Sequence, residues 1–459
     1  MSTENVITPE ELVICAALLQ RIADDPAMIQ DDERLKALIA KIHRTGKKGE
    51  RAGHQQVRRG EDKAVKQSTA MVQRDLEQKS LAVASDDPGS AGNLHRPVRC
   101  YRCKQSFTLV HFFYHWLCPD CATLCYTKRE QRADLTGRTA LITGGRLKIG
   151  YQMALRMLRD GARVIVTTRF PADAQKRFAA EEDFGDWQSR LVIYGLDLRH
   201  LPSVEAFVRY LDETESHLDI LVNHAAQTVK RPLAFYAHLL EAESAALSPG
   251  KLPVLLEARR DYPDPDSPDS LLLAGASETL FPLTERDAYG QPLDKRSANS
   301  WSLTLSEIGT LEMMEVQLVN AIAPFLLCGQ LKPLFLRSPH TRRFIVNVSA
   351  TEGQFVRDSK SARHPHTNMA KAALNMLTRT SASEYALDGI YMNSVDTGWV
   401  SNESPYKHRV RQQEKSGLYL PLDALDGAAR LYDPIAQGIE KPEEPVFGQF
   451  LKDFAPSPW

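Results

Sequence analysis

The chain has 459 residues, 43% of them hydrophobic, which is enough for two or three domains and a sizeable core. Its 57 Lys and Arg against 58 Asp and Glu leave a formal net charge of −1, which argues against a whole-molecule polyanion binder and leaves that role to local patches. No window approaches the roughly 18 to 20 apolar residues of a membrane span. The start MSTENVITPEEL is acidic and polar where a signal peptide is basic and then apolar, so a soluble, cytoplasmic protein without membrane contact is expected.

Taken in chain order, residues 8 to 44 place Leu12, Cys15, Leu18, Leu19 and Ile22, then Leu35, Leu38, Ile39 and Ile42, at helical spacing, which predicts two short amphipathic helices. KIHRTGKKGERAGHQQVRRGEDKAVK, residues 41 to 66, carries nine Lys or Arg against three acids. It reads as an arm for nucleic acid or an acidic protein, or as a solvated linker or helix face. A further charged helix around 62 to 80 leads into ASDDPGSAGN, whose composition is that of a flexible linker. The boundaries drawn are a charged helical region at 1–83, a linker at 84–97, a cysteine-rich module at 98–133 and an α/β domain at 134–459.

Five of the seven cysteines fall between Cys100 and Cys125, a clustering that points to metal more than to disulfides. Cys100-x2-Cys103 and Cys118-x2-Cys121 are two knuckles of the kind that set four thiolates around a tetrahedral Zn²⁺. A closed four-sulfur shell leaves no position for a substrate, so the metal is expected to be structural. His111, His115 or Cys125 could replace one ligand. The run HFFYHW, residues 111 to 116, could stack on bases, but a small ribbon needs large side chains for its own core, and that reading is preferred.

From Asp134 onward short apolar, β-branched runs appear: RTALIT (138–143), ARVIVTT (162–168), RLVIYGL (190–196), LDILVN (218–223), RFIVNVS (343–349) and IYMNSV (390–395). Most are separated by helical patterns, which predicts a doubly wound parallel sheet with helices on both faces, a Rossmann-like α/β fold. Residues 228–300 interrupt the alternation as an insertion, ordered at RPLAFYAHLLEAE and loose around YPDPDSPDS.

ALITGGRLKIGYQMALRML is a strand, a glycine-bearing turn and a helix, the geometry that aims backbone N–H groups at a diphosphate. Here the chain resembles the short-chain dehydrogenase/reductase family, whose opening motif is TGxxxGxG. Thr143, Gly144 and Gly150 match it, and Lys148 stands at its middle glycine. Asp197 matches the family's acidic residue near adenine, Asn223 to Ala226 (NHAA, with Ala225) stand where the family has NNAG, and Asn320 matches the helix asparagine that supports a proton relay. The resemblance covers about residues 134–459 without the insertion, and implies a dinucleotide cofactor. Arg169 follows the second strand, with Arg146 and Lys148 nearby, where an NAD-preferring site presents an acid. Cations there favour a 2′-phosphate, so NADP(H) is preferred over NAD(H), although Arg169 could equally be an exposed residue leading a helix.

The family's catalytic serine, tyrosine and lysine are only partly present. The serine position falls on Ala350, with Ser349 one residue early and so on the other side of the strand. Thr367 stands at the tyrosine position, one turn before Lys371 in HPHTNMAKAALNML. His366 is the nearest group able to replace the phenol, since imidazole titrates near neutral pH; it could also only cap or line the surface. Two readings follow. One is an NADP(H)-dependent oxidoreductase acting on an unidentified carbonyl or alcohol, with Asn320, Thr367, Lys371 and His366 at a non-standard centre. The other is a catalytically inactive dinucleotide-binding sensor or scaffold that presents its ribbon and basic arm to a protein or nucleic acid. A second copy of the chain is also an expected partner.

Overall fold

The structure, a computed structural model, describes residues 7–77, 89–246, 277–356, 360–441, 443 and 445–459. It divides into two units, one formed by residues up to Val65 with Asn93–Arg96, the other by the rest. The first unit holds α1 (Pro9–Asp24) and most of α2 (Glu33–Gln67). Thr8 caps α1 in a capping box with Glu11, so the helix start is fixed locally. The predicted apolar faces are not buried here: Leu12, Leu18, Leu38 and Ile42 are all exposed. The basic stretch is helix, because α2 runs unbroken through residues 41 to 66 despite Gly46, Gly49, Gly53 and Gly60. The second charged helix is α3 (Ala70–Glu77); its predicted end, the first part of the predicted linker (84–88) and the YPDPDSPDS run lie outside the described residues, and residues 90–97 of the predicted linker are strand.

In the second unit the cysteine-rich module follows. Strands β1 (Ser90–Arg99) and β2 (Ser106–His111) form a two-stranded ribbon, followed by α4 (Pro119–Arg129). Of the aromatic run, Phe113, Tyr114 and His115 are buried, which agrees with the core reading.

All six predicted strands are present: β3 (Thr139–Thr143), β4 (Arg163–Thr168), β5 (Leu191–Gly195), β6 (Ile220–Asn223), β7 (Arg343–Ser349) and β8 (Ile390–Asp396). Two short ones, β9 (Phe450–Lys452) and β10 (Ala455–Ser457), extend the sheet to the order β10-β9-β8-β7-β6-β3-β4-β5, with only β10 antiparallel. Between β3 and β6 the chain reverses its direction of growth across the sheet, and the carboxyl ends of those strands open a crevice. Alternate residues supply both cores. Ala140 and Ile142 face α5 (Lys148–Arg159), while Leu141 faces α6 (Leu201–Thr214).

Five further helices matter for the site. Within the insertion, α7 (Leu233–Ala246) covers the ordered segment the sequence predicts. Next come α8 (Thr310–Gln317), which passes through one π turn (Leu318–Ile322) into α9 (Ala323–Gln330), then α10 (Pro365–Leu387) and α11 (Ala424–Glu440). The stretch Thr310–Gln330 has a mean hydropathy of 1.4 and the length of a membrane span, which corrects the expectation that no window comes close. Its Val316, Ala323, Leu327 and Cys328 are buried in the sheet domain.

Ions fasten the ribbon to α11. Asp423 and Asp426 cap that helix reciprocally, and Arg129 of α4 reaches both, at 2.7 and 3.0 Å. Arg74 of α3 holds the other oxygen of Asp423 at 2.8 Å, and Tyr114 donates to Asp426 at 2.5 Å. Burial alone would raise the Asp423 carboxyl, but Arg129 and Arg74 hold it well below the usual range. Arg129→Met should therefore destabilise the protein by roughly 3 kcal/mol, because it removes one counter-ion of a buried carboxylate. Urea titration should show the shifted midpoint.

Candidate active site

At the crevice Thr143 ends β3 with its hydroxyl facing inward. It accepts the N–H groups of His224 and Ala225, both at 3.0 Å, so the first strand's threonine fixes the turn after β6. Gly144 (φ 76°) packs against that turn: a Cβ there would lie 3.0 Å from the Ala225 Cα. His224 Nε2 in turn accepts the N–H of Gly150 at 3.2 Å, which requires a neutral ring, and burial next to Lys371 pushes this imidazole down to about 4. Lys148 adopts φ 53°, the left-handed conformation that the family's glycine serves, so its side chain is accommodated with the turn kept. Its ammonium is 3.9 Å from Glu403 and 5.5 Å from the centre of the Tyr289 ring.

These elements border one cavity of about 970 Å³. Gly144, Arg146, Lys148, Arg169, Asp197 and Ala225 line it at one end, and Thr367 and Lys371 line it too. Thr143, Gly150, Asn223 and Asn320 lie behind the wall. Asn223 donates to Asn347 at 2.8 Å and so ties β6 to β7. Asn320, inside the π turn, accepts from the Gln227 N–H at 2.7 Å and donates to its carbonyl at 3.1 Å, so it fixes the loop after NHAA. Two cations have partners. Arg146 pairs with Asp173 at 2.6 Å, and Arg169 donates to Tyr236 of α7 at 2.9 Å and stacks over its ring. Asp197 is held by Arg199.

Lys371 sits on the inner face of α10, and its Nζ donates to the Val348 carbonyl at 2.7 Å. Burial pushes this ammonium down to about 8, against the pull of Glu352 and Asp396. Thr367 lines the cavity with a buried hydroxyl that has no hydrogen-bond partner among the described residues. Ala350 lines the cavity at the serine position, while Ser349 Oγ is committed to Asn375 at 2.5 Å. His366 is turned elsewhere: it is absent from the lining, and its Nε2 is 3.5 Å from Glu312. His364 takes the left-handed conformation (φ 43°) and stacks flat on Trp301, with ring centres 3.9 Å apart.

Three segments in the wall escaped the sequence reading. The insertion contributes Tyr236 and Tyr289, and Trp301 follows it. From the ribbon side, Met71, Arg74 and Tyr101 also enter. Tyr101 lies between two of the predicted zinc ligands, and its hydroxyl accepts the Trp399 N–H at 2.9 Å from the loop after β8. Only the chemistry of the Cys-Tyr-Arg-Cys knuckle could have hinted at it; nothing in the spacing links residue 101 to residue 399.

The Sγ atoms of Cys100, Cys103, Cys118 and Cys121 all lie within 4.8 Å of one another, with Cys103 and Cys118 3.6 Å apart. Tetrahedral zinc with Zn–S near 2.3 Å requires about 3.8 Å between sulfurs, so the set fits. The alternative ligands are turned away. Cys125 is against Arg430 at 3.7 Å, His111 Nδ1 accepts from Phe113, and His115 packs edge-on against Tyr419.

Because the fold disfavours the charged Lys371, the unfolded chain binds more protons between pH 8 and 10.5, and stability rises with pH across that window. Lys371→Met should be more stable than the wild type below pH 8, by ~1–3 kcal/mol. That gain should fade towards pH 10.5, as urea titrations at the two ends of the window would show.

Comparison with known proteins meets the same segments. The short chain dehydrogenase family profile matches residues 138–241, and the profile described as Enoyl-(Acyl carrier protein) reductase matches residues 299–418. An uncharacterized protein of Acanthamoeba polyphaga mimivirus is 32% identical over 356 residues, 73% of this chain and 71% of its own. The WW domain-containing oxidoreductase of Drosophila melanogaster is 38% identical over 95 residues, 20% of this chain and 23% of that one. The human dehydrogenase/reductase SDR family member 13 is 36% identical over 93 residues, 20% of this chain and 24% of that protein. Apart from the viral protein, then, these curated relatives are matched over about a quarter of their length. A solved short chain dehydrogenase from Burkholderia cenocepacia, in complex with NADP, aligns with a TM-score of 0.45 at 19% identity, over 70% of this chain and 97% of that one. The glycine turn after β3, the turn after β6 and the lysine of α10 fall inside the matched segments, and the chain belongs to the short-chain dehydrogenase/reductase family.

Proposed function

We propose that the protein is an NADP(H)-dependent oxidoreductase acting on a carbonyl or alcohol, with a proton path that does not use a tyrosine on α10. The observation that carries this reading is that Lys371 lines the same cavity as the phosphate turn at Gly144–Lys148. A diphosphate suits that turn, where Gly144 leaves the backbone bare and Lys148 supplies a charge. Arg169, which follows the second strand and lines the cavity, is the cation proposed for a 2′-phosphate. When bound, the dinucleotide would supply or accept the hydride. Lys371 would hold ribose hydroxyls, and the unpartnered Thr367 hydroxyl would take part in moving the proton. Tyr101 accepts one hydrogen bond and retains its own proton to donate to a substrate oxygen. Of the four residues proposed for the centre, His366 has the weakest support, because it faces Glu312 and does not line the cavity.

Zinc on Cys100, Cys103, Cys118 and Cys121 would be structural, since four sulfurs close the shell. A second copy of this chain is the proposed partner for the exposed apolar side chains of α8–α9 and α10, among them Met314, Phe325, Met369 and Met376. An acidic partner, whether protein or nucleic acid, remains a proposal for the exposed Arg44, Lys47, Lys48 and Arg51 of α2. The sensor reading draws on the apolar Ala350 and the short Thr367 at the two family positions.

Calorimetry should show NADPH binding more tightly than NADH. Arg169→Ala should cut the preference by about 10- to 100-fold, the worth of a charge-assisted hydrogen bond to phosphate; equal affinities in the wild type would remove the NADP(H) assignment. Turnover of NADPH with a panel of ketones and aldehydes decides between enzyme and sensor. Activity that Thr367→Tyr raises supports the proposed site, while intact NADPH binding with no turnover in either protein supports the sensor.

A further inference from the structure

The opposite end of the sheet carries a second cluster of metal-ligating atoms. His217 and Asp219 precede β6, His340 precedes β7, and Gly137 precedes β3, so the amino ends of three adjacent parallel strands converge there. The ligand atoms of His217, Asp219 and His340 all lie within 4.8 Å of one another. His217 Nε2 is 3.2 Å from Asp219 Oδ2 and 3.2 Å from the Gly137 carbonyl oxygen; His340 Nε2 is 3.4 Å from that same oxygen. A tetrahedral ion with bonds of about 2.0–2.1 Å needs about 3.3–3.4 Å between ligand atoms. We propose that His217, His340, Asp219 and the Gly137 carbonyl form a binding site for a borderline divalent cation of the zinc class, which staples the starts of β3, β6 and β7.

The surroundings are those of a supported site. His217 Nδ1 is 2.8 Å from Ser216 Oγ, and donation through that nitrogen leaves the Nε2 lone pair facing the cluster. Ser338 donates to Asp219 Oδ1 and accepts the His340 backbone N–H at 3.0 Å, so one serine orients two ligands. Gly137 has φ 76°, which sets the direction of its carbonyl. Two features oppose the cation. The Thr139 N–H already donates to Asp219 Oδ2 at 2.7 Å, and Arg138 lies 3.9 Å from Oδ1. The two imidazole ligands select zinc-class ions over Mg²⁺ or Ca²⁺, which an all-oxygen set would suit. The competing arrangement has no metal: both imidazoles then act as N–H donors to Gly137.

The test uses the full chain, reconstituted with Co²⁺ or Zn²⁺, beside His340→Gln. Glutamine keeps an N–H donor for the Gly137 carbonyl and is a poor ligand for this ion class. The wild type should bind about two equivalents. The first should show thiolate-to-cobalt charge transfer from the cysteine set; the second should show visible ligand-field absorption without added thiolate bands, together with a further rise in Tm. His340→Gln, with unchanged far-UV circular dichroism, should lose the second equivalent and its Tm rise while keeping the thiolate bands. A wild type that takes up only the thiolate-bound equivalent overturns the site. So does a His340→Gln protein that binds metal as the wild type does.

Discussion

The approach of two turns at the crevice between β3 and β6 is the constraint on which the rest of the site depends. Thr143 receives two N–H groups from the turn after β6, and Gly144 lies so close to Ala225 that a side chain would collide. With the turns locked, the first residues of α5 face the cavity and His224 closes the gap by accepting the Gly150 N–H. A crevice at the carboxyl ends of parallel strands is where such sheets bind ligands, because loops there can vary without disturbing the core. Lys148, at a glycine position of the family motif, takes the left-handed conformation that glycine would adopt there (φ 53°).

A second network, at the start of α11, makes the cysteine ribbon part of this architecture. Arg129, Arg74 and Tyr114 all reach the capping carboxylates Asp423 and Asp426. These groups are buried, so each charge depends on its partners and the network is stable only when complete. The result is that Tyr101, held in the knuckle, stands in the wall of the cavity and receives the Trp399 N–H. The ribbon is thereby a structural part of the site's border as well as the place where four cysteine sulfurs meet.

At the positions that match the family's serine and tyrosine the side chains differ from the family pattern. Lys371 stands on α10 and donates to the Val348 carbonyl, while alanine and threonine occupy the serine and tyrosine positions. The insertion adds aromatic side chains to the wall, and Trp301 stacks on His364 at the entry to α10. That stack and the left-handed His364 set how the helix begins, and with it the direction of His366 towards Glu312.

Much of this was legible in the sequence because it is local. The six strands follow from β-branched runs whose alternation fills both faces of the sheet, and the glycine turn from the needs of a backbone that passes close to another. The two Cys-x2-Cys pairs are likewise short-range chemistry, and they do bring four sulfurs together. At the N-terminus the helical period does give helices, with the basic stretch continuing the second of them through four glycines, but it says nothing of burial, and Leu12, Leu18, Leu38 and Ile42 are exposed. What the sequence could not decide is every relation between distant segments: Tyr101 with Trp399, Arg129 with Asp423, Tyr236 with Arg169, and His366 with Glu312. Spacing along a chain fixes which face of an element a side chain occupies. Which other element that face meets is settled only when the sheet order is set and the buried charges find their partners.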